Sequence, residues 1–314
     1  MKLLLVIVLF LTGRLLNKSS ESNCLAFQLV RNQMLVTAVS EGSDQPRLLN
    51  LGCRKSSASQ VEDADRPGHI NDNRCAEGIV PQGIIGMDEF RKRFDRCHLD
   101  FDKQRICTLE AADIDAYRTE GYQEITSDFR SDGIYITILL RRKKYHLKLD
   151  TGFCGSIAMS SNDAKPFDKE RCQRYEDRTG EFAVYPNKWI TLGGNYYNAA
   201  IVVDGEASSK LGIGIIKGFN WIIDFSKREV YIKKNALGID AENVFPSFRV
   251  EKFRSELVIA SKTKTCRQFS LGDIVTTVNG QTVTSENICE IQELLNAVVN
   301  WDKIDIQTET RTKR

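Results

Sequence analysis

The chain has 314 residues, of which 41% are apolar and 27% charged, a composition that excludes a fibrous or disordered protein. Its 44 basic and 42 acidic residues give a net charge of +2, so the overall balance favours neither nucleic acid nor a membrane surface as a partner. Only three histidines and no Cys-x-x-Cys pair are present, so we expect no metal site and no cofactor.

The N-terminus has the pattern of a secretory signal peptide. Lys2 precedes an apolar run at residues 3–11, and a polar stretch follows. The run is shorter than the roughly 20 residues that a membrane span needs. We therefore predict that residues 1–22 are removed and that the protein is exported to the periplasm, the cell surface or the exterior. A lipid anchor on Cys24 is the alternative to a free mature chain.

The nine cysteines are an odd number, so at least one is unpaired or removed. Cys97 and Cys107 flank a segment that predicts two short strands around a turn at Asp102 and Lys103. They could face each other across that hairpin, and an oxidising compartment would allow some of the cysteines to pair. For most of the nine, the alternative is a buried thiol that packs as a small apolar side chain.

Two stretches of the chain align without a gap, residue 33 matching residue 133 at an offset of 100. They read QMLVTAVSEGSDQPRLLNLGC and GIYITILLRRKKYHLKLDTGF. Both begin with the apolar alternation that is typical of strands. In this alignment Asn50 falls opposite Asp150 and Gly52 opposite Gly152.

A second matched pair, residues 83–109 and 211–234, follows in the same order. Each member has an apolar run ending at glycine, a short helical segment and a hairpin. Two matches in the same order predict a duplication, with related β-lobes at residues 23–115 and 125–236. The first lobe is predicted to be shortened, because a polar stretch without periodicity replaces strand-like segments of the second.

The sequence LKLDTGFCGS, with LGIGIIKGFNWIIDF about 60 residues later, resembles the aspartic proteases of the pepsin and retropepsin type. The resemblance covers approximately residues 27–236. It implies a mainly β fold in which each lobe supplies an Asp-Thr-Gly loop to a cleft. The candidate catalytic residues are then Asp150, Thr151 and Gly152, with Asn50 at the matching place in the first lobe. In such enzymes two carboxylates about 3 Å apart share a proton, and one activates water while the other donates to the peptide carbonyl.

The first lobe departs from this pattern, because it carries Asn50, Leu51 and Gly52 instead of Asp-Thr-Gly. Asparagine has nearly the shape of aspartate, but it can neither ionise nor pass on a proton. Leu51 also lacks the hydroxyl of the expected threonine. The sequence therefore supports the two-lobed fold more strongly than the two-carboxylate mechanism.

Three explanations remain open. The chain could be an aspartic endopeptidase that acts on peptides or proteins through Asp150. Its second carboxylate would then come from another copy in a homodimer, or from one of three aspartates of the first lobe, Asp44, Asp63 and Asp65. It could instead be a catalytically silent relative, which either binds peptides through its cleft or its C-terminal domain or keeps a cleft without a purpose. Finally, the Asp-Thr-Gly triplet could be a strand-to-turn sequence in an unrelated β protein.

Three further residues are candidates for substrate binding. Ser156 follows the Asp150 loop and could bond its carboxylate, although a serine after a turn also caps backbone. Tyr185 and Trp189 flank the predicted flap hairpin of the second lobe, where an aromatic ring could cover a substrate. The alternative for both rings is packing of a β-hairpin.

The sequence pattern of the C-terminal part predicts a separate small α+β domain at residues 245–310. Asn279 and Gly280 stand between two strand-like segments, which is a strong hairpin signal, and an amphipathic pattern follows. The segment LGDIVTTVNGQTV resembles the PDZ domains of bacterial exported proteases. That resemblance implies a peptide ligand bound as an added strand; a packing domain without a ligand is the alternative.

Overall fold

The structure is a computed structural model, and it describes residues 24–30, 32–37, 46–57, 81–167, 172–205, 208–239, 246–297 and 301–310. The fold is mainly β, as the sequence predicted. The predicted signal peptide and the three first-lobe aspartates lie outside the described residues. None of the described helices is long and apolar enough to cross a membrane.

The first lobe is built from short strands and one helix after the fourth strand. Its elements in chain order are β1 (Cys24–Val30), β2 (Gln33–Val36), β3 (Arg47–Leu49), β4 (Ile84–Ile85), α1 (Met87–Arg93), β5 (Arg96–Asp100) and β6 (Arg105–Thr108). A short helix, α2 (Asp113–Thr119), leads to the second lobe.

The second lobe repeats this order with longer strands and additional ones in the middle. Its elements are β7 (Gln123–Ile125), β8 (Ser127–Arg130), β9 (Gly133–Leu140), β10 (Lys143–Leu149), β11 (Ile157–Ala158), β12 (Gln173–Asp177), β13 (Gly180–Leu192), β14 (Asn195–Val203), β15 (Lys210–Leu211), α3 (Ile213–Ile216), β16 (Phe219–Asp224) and β17 (Glu229–Lys234).

The two lobes repeat one another in strand register as well as in sequence. In the first lobe β1 pairs antiparallel with β2, and Phe27 lies opposite Val36. In the second lobe β8 pairs with β9, and Ser127 lies opposite Ile136, so both partners are 100 residues further along. Downstream, β3 runs parallel to β4 as β10 runs parallel to β15. The predicted pair of related lobes is therefore confirmed.

One sheet joins the lobes, with the strand order β1-β6-β5-β16-β17-β7. At its centre β5 and β16 pair antiparallel, with Leu99 opposite Trp221 and Cys97 opposite Ile223. All four side chains are at most 1% exposed. The hydrophobic core consequently runs through both lobes without a break.

The C-terminal unit has its own core, formed by side chains such as Phe248, Ile259 and Leu295. The predicted hairpin is confirmed, because Asn279 and Gly280 have φ angles of 50° and 78°, as a two-residue turn of this type requires. Its elements are β18 (Phe248–Phe253), β19 (Glu256–Thr263), β20 (Ile274–Val278), β21 (Gln281–Thr282), α4 (Ile288–Ala297), a 3₁₀ helix (Trp301–Lys303) and β22 (Ile306–Glu309).

Strand pairing attaches this unit to the second lobe. β12 pairs antiparallel with β19, placing Glu176 opposite Lys262, and their side chains form an ion pair of 2.8 Å. Tyr175 is 2% exposed, and its hydroxyl donates to the carbonyl of Pro246 at 3.0 Å. The hairpin of β12 and β13 is thus continuous with the sheet of the C-terminal unit.

A disulfide in the first lobe links Cys107 to Cys24, which lies 83 residues earlier and opposite it across β1 and β6. The predicted approach of Cys97 to Cys107 is wrong. In the β5–β6 register Cys107 lies opposite His98, and Cys97 lies opposite Thr108. Because adjacent strand residues point to opposite faces, Cys97 points away from Cys107. Cys97 is instead a buried thiol, and burial raises its pKa.

Candidate functional site

Two loops, one from each lobe, meet where β3 and β10 end. A Cβ atom placed on Gly52 would lie 2.1 Å from Cγ of Asp150. A Cβ atom placed on Gly152 would lie 2.1 Å from Nδ2 of Asn50. Each polar side chain therefore lies over the glycine of the opposite loop, where any larger residue would collide with it. The structure thus brings together Asn50, Asp150 and Gly152, as the alignment of the repeats anticipates.

The crossing strands hold both loops in equivalent ways. The backbone N–H of Asn50 donates to the carbonyl of Ile85 at 3.0 Å. The backbone N–H of Asp150 donates to the carbonyl of Leu211 at 2.9 Å. These acceptors lie at the ends of β4 and β15, the two short strands that precede a glycine and a helix. The apolar-Gly elements of the sequence therefore fix the backbone from which the polar side chains project.

The Thr151 hydroxyl fastens the second loop to the first. It donates to the carbonyl of Leu49 at 2.7 Å and accepts from the backbone N–H of Leu51 at 2.9 Å. Thr151 is fully buried, so these bonds satisfy a hydroxyl that has no access to water. Leu51 is also fully buried but cannot return the bonds, because its side chain has no polar atom.

The Asn50 amide is oriented by its own loop. Its Oδ1 accepts from the backbone N–H of Cys53 at 3.0 Å. Because an N–H donor requires an oxygen acceptor, this bond turns Nδ2 toward the opposite loop, where it lies against Gly152. Asn50 therefore presents donors, not a second acid, to the side on which Asp150 stands.

The Asp150 carboxylate has both a backbone donor and a cation beside it. Its Oδ1 accepts from the backbone N–H of Gly152 at 3.0 Å, and the Lys210 ammonium lies 3.9 Å from its Oδ2. The side chains of Asp150 and Lys210 are only 8% and 13% exposed. The described residues therefore place an amide and an ammonium beside the Asp150 carboxylate.

Sequence reasoning missed Lys210. Its side chain belongs to β15, immediately before Leu211 and Gly212 of the apolar-Gly element that was recognised as crossing beneath the loop. Lys210 could have been found from the sequence, because it immediately precedes that element. A strand that runs parallel to β10 places its residues beside the end of β10, where Asp150 lies.

The three substrate-binding candidates lie in different places. Ser156 is buried, and its carbonyl accepts from the backbone N–H of Gly212 at 2.9 Å, so it supports the crossing strand. Tyr185 is 4% exposed, and its ring lies 5.0 Å from that of Phe167. Trp189 is 63% exposed and lines a surface depression that includes no residue of the Asp150 loop. Tyr185 thus has the environment of a packing residue, and Trp189 has that of a surface residue.

In the C-terminal unit, the edge of β18 that faces α4 carries side-chain hydrogen bonds. Asn296 both accepts from the backbone N–H of Val250 and donates to its carbonyl, each at 3.0 Å. Gln292 accepts from the backbone N–H of Lys252 at 3.0 Å. These bonds use backbone groups that an added peptide strand would need at this edge.

Two related β-lobes, with an Asp-Thr-Gly loop facing its counterpart above crossing apolar-Gly strands, define an aspartic-protease-like fold. No family model and no curated protein matches the sequence. Among solved structures, the chain is similar to a retropepsin-like aspartic protease from Rickettsia conorii, with 23% identity and a TM-score of 0.30 over 36% of this chain and 90% of that one. It is also similar to basic 7S globulin from soybean, with 8% identity and a TM-score of 0.40 over 68% and 95% of the two chains. Likenesses this distant carry no argument about function.

Proposed function

We propose that this chain is a catalytically silent protein of aspartic-protease-like fold that binds an extended peptide at the junction of its lobes. The observation that carries the proposal is the position of Asn50, whose amide lies against Gly152 opposite Asp150. In the two-carboxylate mechanism this position belongs to the second acid.

The chemistry of the junction supports the absence of catalytic activity. Hydrolysis requires one group that removes a proton from water and another that donates a proton to the carbonyl oxygen of the peptide. Asp150 can serve only one of these roles at a time, and the amide of Asn50 can serve neither. The ammonium of Lys210 also lies 3.9 Å from the Asp150 carboxylate, so the charged neighbour of this acid is a cation.

The preserved architecture supports binding. The Thr151 hydrogen bonds and the two crossing strands hold the loops in place although the paired acid is gone. Asp150 offers acceptor oxygens and Asn50 offers N–H donors, which together match the backbone of an extended peptide. Endopeptidase activity through Asp150, including activity assisted by a second copy, is the competing outcome of the test.

The test is incubation of the full-length protein with a peptide library from acidic to neutral pH, followed by mass spectrometry and a fluorescence-anisotropy assay for binding. Asp150→Ala is the control variant. We expect no peptide to be cleaved above the Asp150→Ala background, and we expect binding that this variant weakens. Cleavage by the wild type that Asp150→Ala abolishes would overturn the proposal.

We also propose that the protein is exported. The disulfide between Cys24 and Cys107 supports this, because such bonds persist in oxidising compartments. Fractionation of expressing cells and N-terminal sequencing of the mature protein test it. A chain that stays in the reducing compartment with residues 1–22 intact would contradict it.

A further inference from the structure

One face of the second lobe combines exposed rings with clustered cations. We call it the aromatic–basic face: a depression of about 460 Å³ lined by Leu139, Leu140, Arg141, Arg142, Asn187, Lys188, Trp189, Thr191 and Tyr196. Five large hydrophobic side chains of the described residues are exposed, and three of them belong to this face. They are Leu139, Trp189 and Tyr196, which are 36%, 63% and 75% exposed.

Rigid strands build the face. Leu139 of β9 lies opposite Lys144 of β10 on one side and opposite Thr191 of β13 on the other. Thr191 in turn lies opposite Tyr196 of β14. Residues directly opposite one another point to the same side of a sheet, so these four form one row. Trp189 precedes Thr191 by two positions and projects to the same side.

The turn between β9 and β10 adds positive charge to one border. Arg141 and Arg142 have φ angles of 50° and 65°, as a tight two-residue hairpin turn requires, and both are exposed. Lys143 and Lys144 follow and are also exposed. None of the described residues that line the depression is acidic. Although the whole chain has a net charge of only +2, positive charges are therefore concentrated at this border of the face.

We propose that the aromatic–basic face docks on an anionic membrane surface. Exposed tryptophan and tyrosine rings have an apolar body and a polar tip, which suits the boundary between headgroups and acyl chains. Clustered arginine and lysine beside them are attracted to anionic headgroups.

An acidic peptide fits this face less well than a membrane does. A peptide bound as an added strand needs a free strand edge, but β9 pairs with β8, β10 and β13, and β14 pairs with β13 and β11. The depression consequently offers side chains rather than the free backbone groups of a strand edge.

The test is co-sedimentation of the full-length protein with phosphatidylcholine vesicles and with vesicles that also contain phosphatidylserine, at low and high salt. The measured quantity is the increase in binding that phosphatidylserine causes. We expect this increase to fall about tenfold in Trp189→Ser/Tyr196→Ser and in Arg141→Gln/Arg142→Gln, and in high salt. Leu237→Ser and Lys103→Gln/Lys227→Gln, which remove an exposed apolar side chain and two exposed charges elsewhere, should leave it unchanged.

Insertion of the basic and apolar N-terminal segment cannot mimic the loss of binding in the face variants, because the wild type and every variant carry the same segment. Quenching of tryptophan fluorescence by brominated lipid gives a second measurement when the wild type is compared with Trp189→Ser/Tyr196→Ser. Trp189 is exposed, Trp221 is fully buried and Trp301 is half-buried, so the quenching lost in the variant reports on Trp189. No preference for anionic vesicles, or equal binding by the face variants and controls, would overturn the proposal. Binding of polyglutamate instead of vesicles, lost in the same variants, would also overturn it and would assign the face to an acidic protein partner.

Discussion

The hydroxyl of Thr151 accepts a hydrogen bond from the backbone N–H of Leu51, its own counterpart in the duplicated lobe, at 2.9 Å. The same hydroxyl donates to the carbonyl of Leu49. In a symmetric pair of loops the counterpart would return both bonds, but a leucine side chain has nothing with which to do so. The connection between the loops is therefore one-sided, and it depends on a threonine that lies in the lobe that keeps the acid.

We expect Thr151→Val to destabilise the protein, because it leaves the buried N–H of Leu51 and carbonyl of Leu49 without this partner. The loss should be about 1–3 kcal/mol in free energy of unfolding, which urea denaturation measures. Thr282→Val, at an exposed position of β21, is the matched control and should change little. Equal stability of the two variants would mean that Thr151 does not fasten the loops.

Asn50→Asp should make stability depend on pH. The new carboxylate would face Asp150, so the two could not both ionise easily, and one of them would have a raised pKa. The free energy of unfolding would stay near that of the wild type in acid and fall as the pH rises through that pKa. The loss would be about 1.4 kcal/mol for each unit by which the pKa is raised. Thermal unfolding across pH measures this effect. Asn195→Asp, at the exposed first residue of β14, is the control, and parallel profiles of the two variants would contradict the facing arrangement of Asn50 and Asp150.

The same Asn50→Asp variant tests why the wild type lacks peptidase activity. If the missing acid is the main obstacle, the variant should gain peptide cleavage at acidic pH that a further Asp150→Ala change removes. Lys210→Gln combined with Asn50→Asp should raise this activity further, because the ammonium beside Asp150 would no longer oppose proton sharing. Cleavage by the variant that survives Asp150→Ala would show that another site is responsible.

His98 should make the protein less stable in acid. Burial lowers the pKa of His98 to about 4 from an ordinary value of 6.5, and its Nε2 lies 2.6 Å from the hydroxyl of Tyr122. The unfolded chain therefore takes up this proton first, so stability is full above pH 6.5 and falls by roughly 3 kcal/mol as the pH drops to about 4.

Urea unfolding of His98→Phe checks this prediction. The variant should lose stability at neutral pH through lost packing and hydrogen bonding, yet show a shallower decline between pH 6.5 and 4. His146→Phe, at an exposed position, should keep the wild-type slope. An unchanged slope in His98→Phe would mean that other groups cause the acid sensitivity.

Asn296→Ala should open the edge of β18. Removing the amide leaves the backbone N–H and carbonyl of Val250 without the bonds that Asn296 supplies, so hydrogen exchange at Val250 should become faster. If the C-terminal unit can take a peptide by strand addition there, this variant should bind extended peptides better than the wild type. Glu290→Ala, exposed on the same helix, is the control. Unchanged exchange at Val250 would mean that the edge is protected in another way.

Much of the architecture could be predicted from the sequence, because local or repeated sequence patterns determine it. The offset of 100 residues reappears in the strand register of both lobes, since duplicated alternation imposes the same pairing. The turn at Asn279 and Gly280 was predictable because few residues adopt two successive positive φ angles. The opposition of Asn50 and Asp150 follows from the same repeat.

For other residues from distant parts of the chain, only the tertiary structure decided which ones meet. Cys107 bonds to Cys24 rather than approaching Cys97, because the strand pairing places Cys24 directly opposite it. Lys210 lies beside Asp150 because β15 pairs in parallel with β10. No local sequence pattern shows that these two strands are partners. The sequence by itself determined the duplicated lobes and the loss of one acid. The tertiary structure decided that an amide and an ammonium surround the acid that remains, because long-range strand register, not local propensity, sets which side chains share a site.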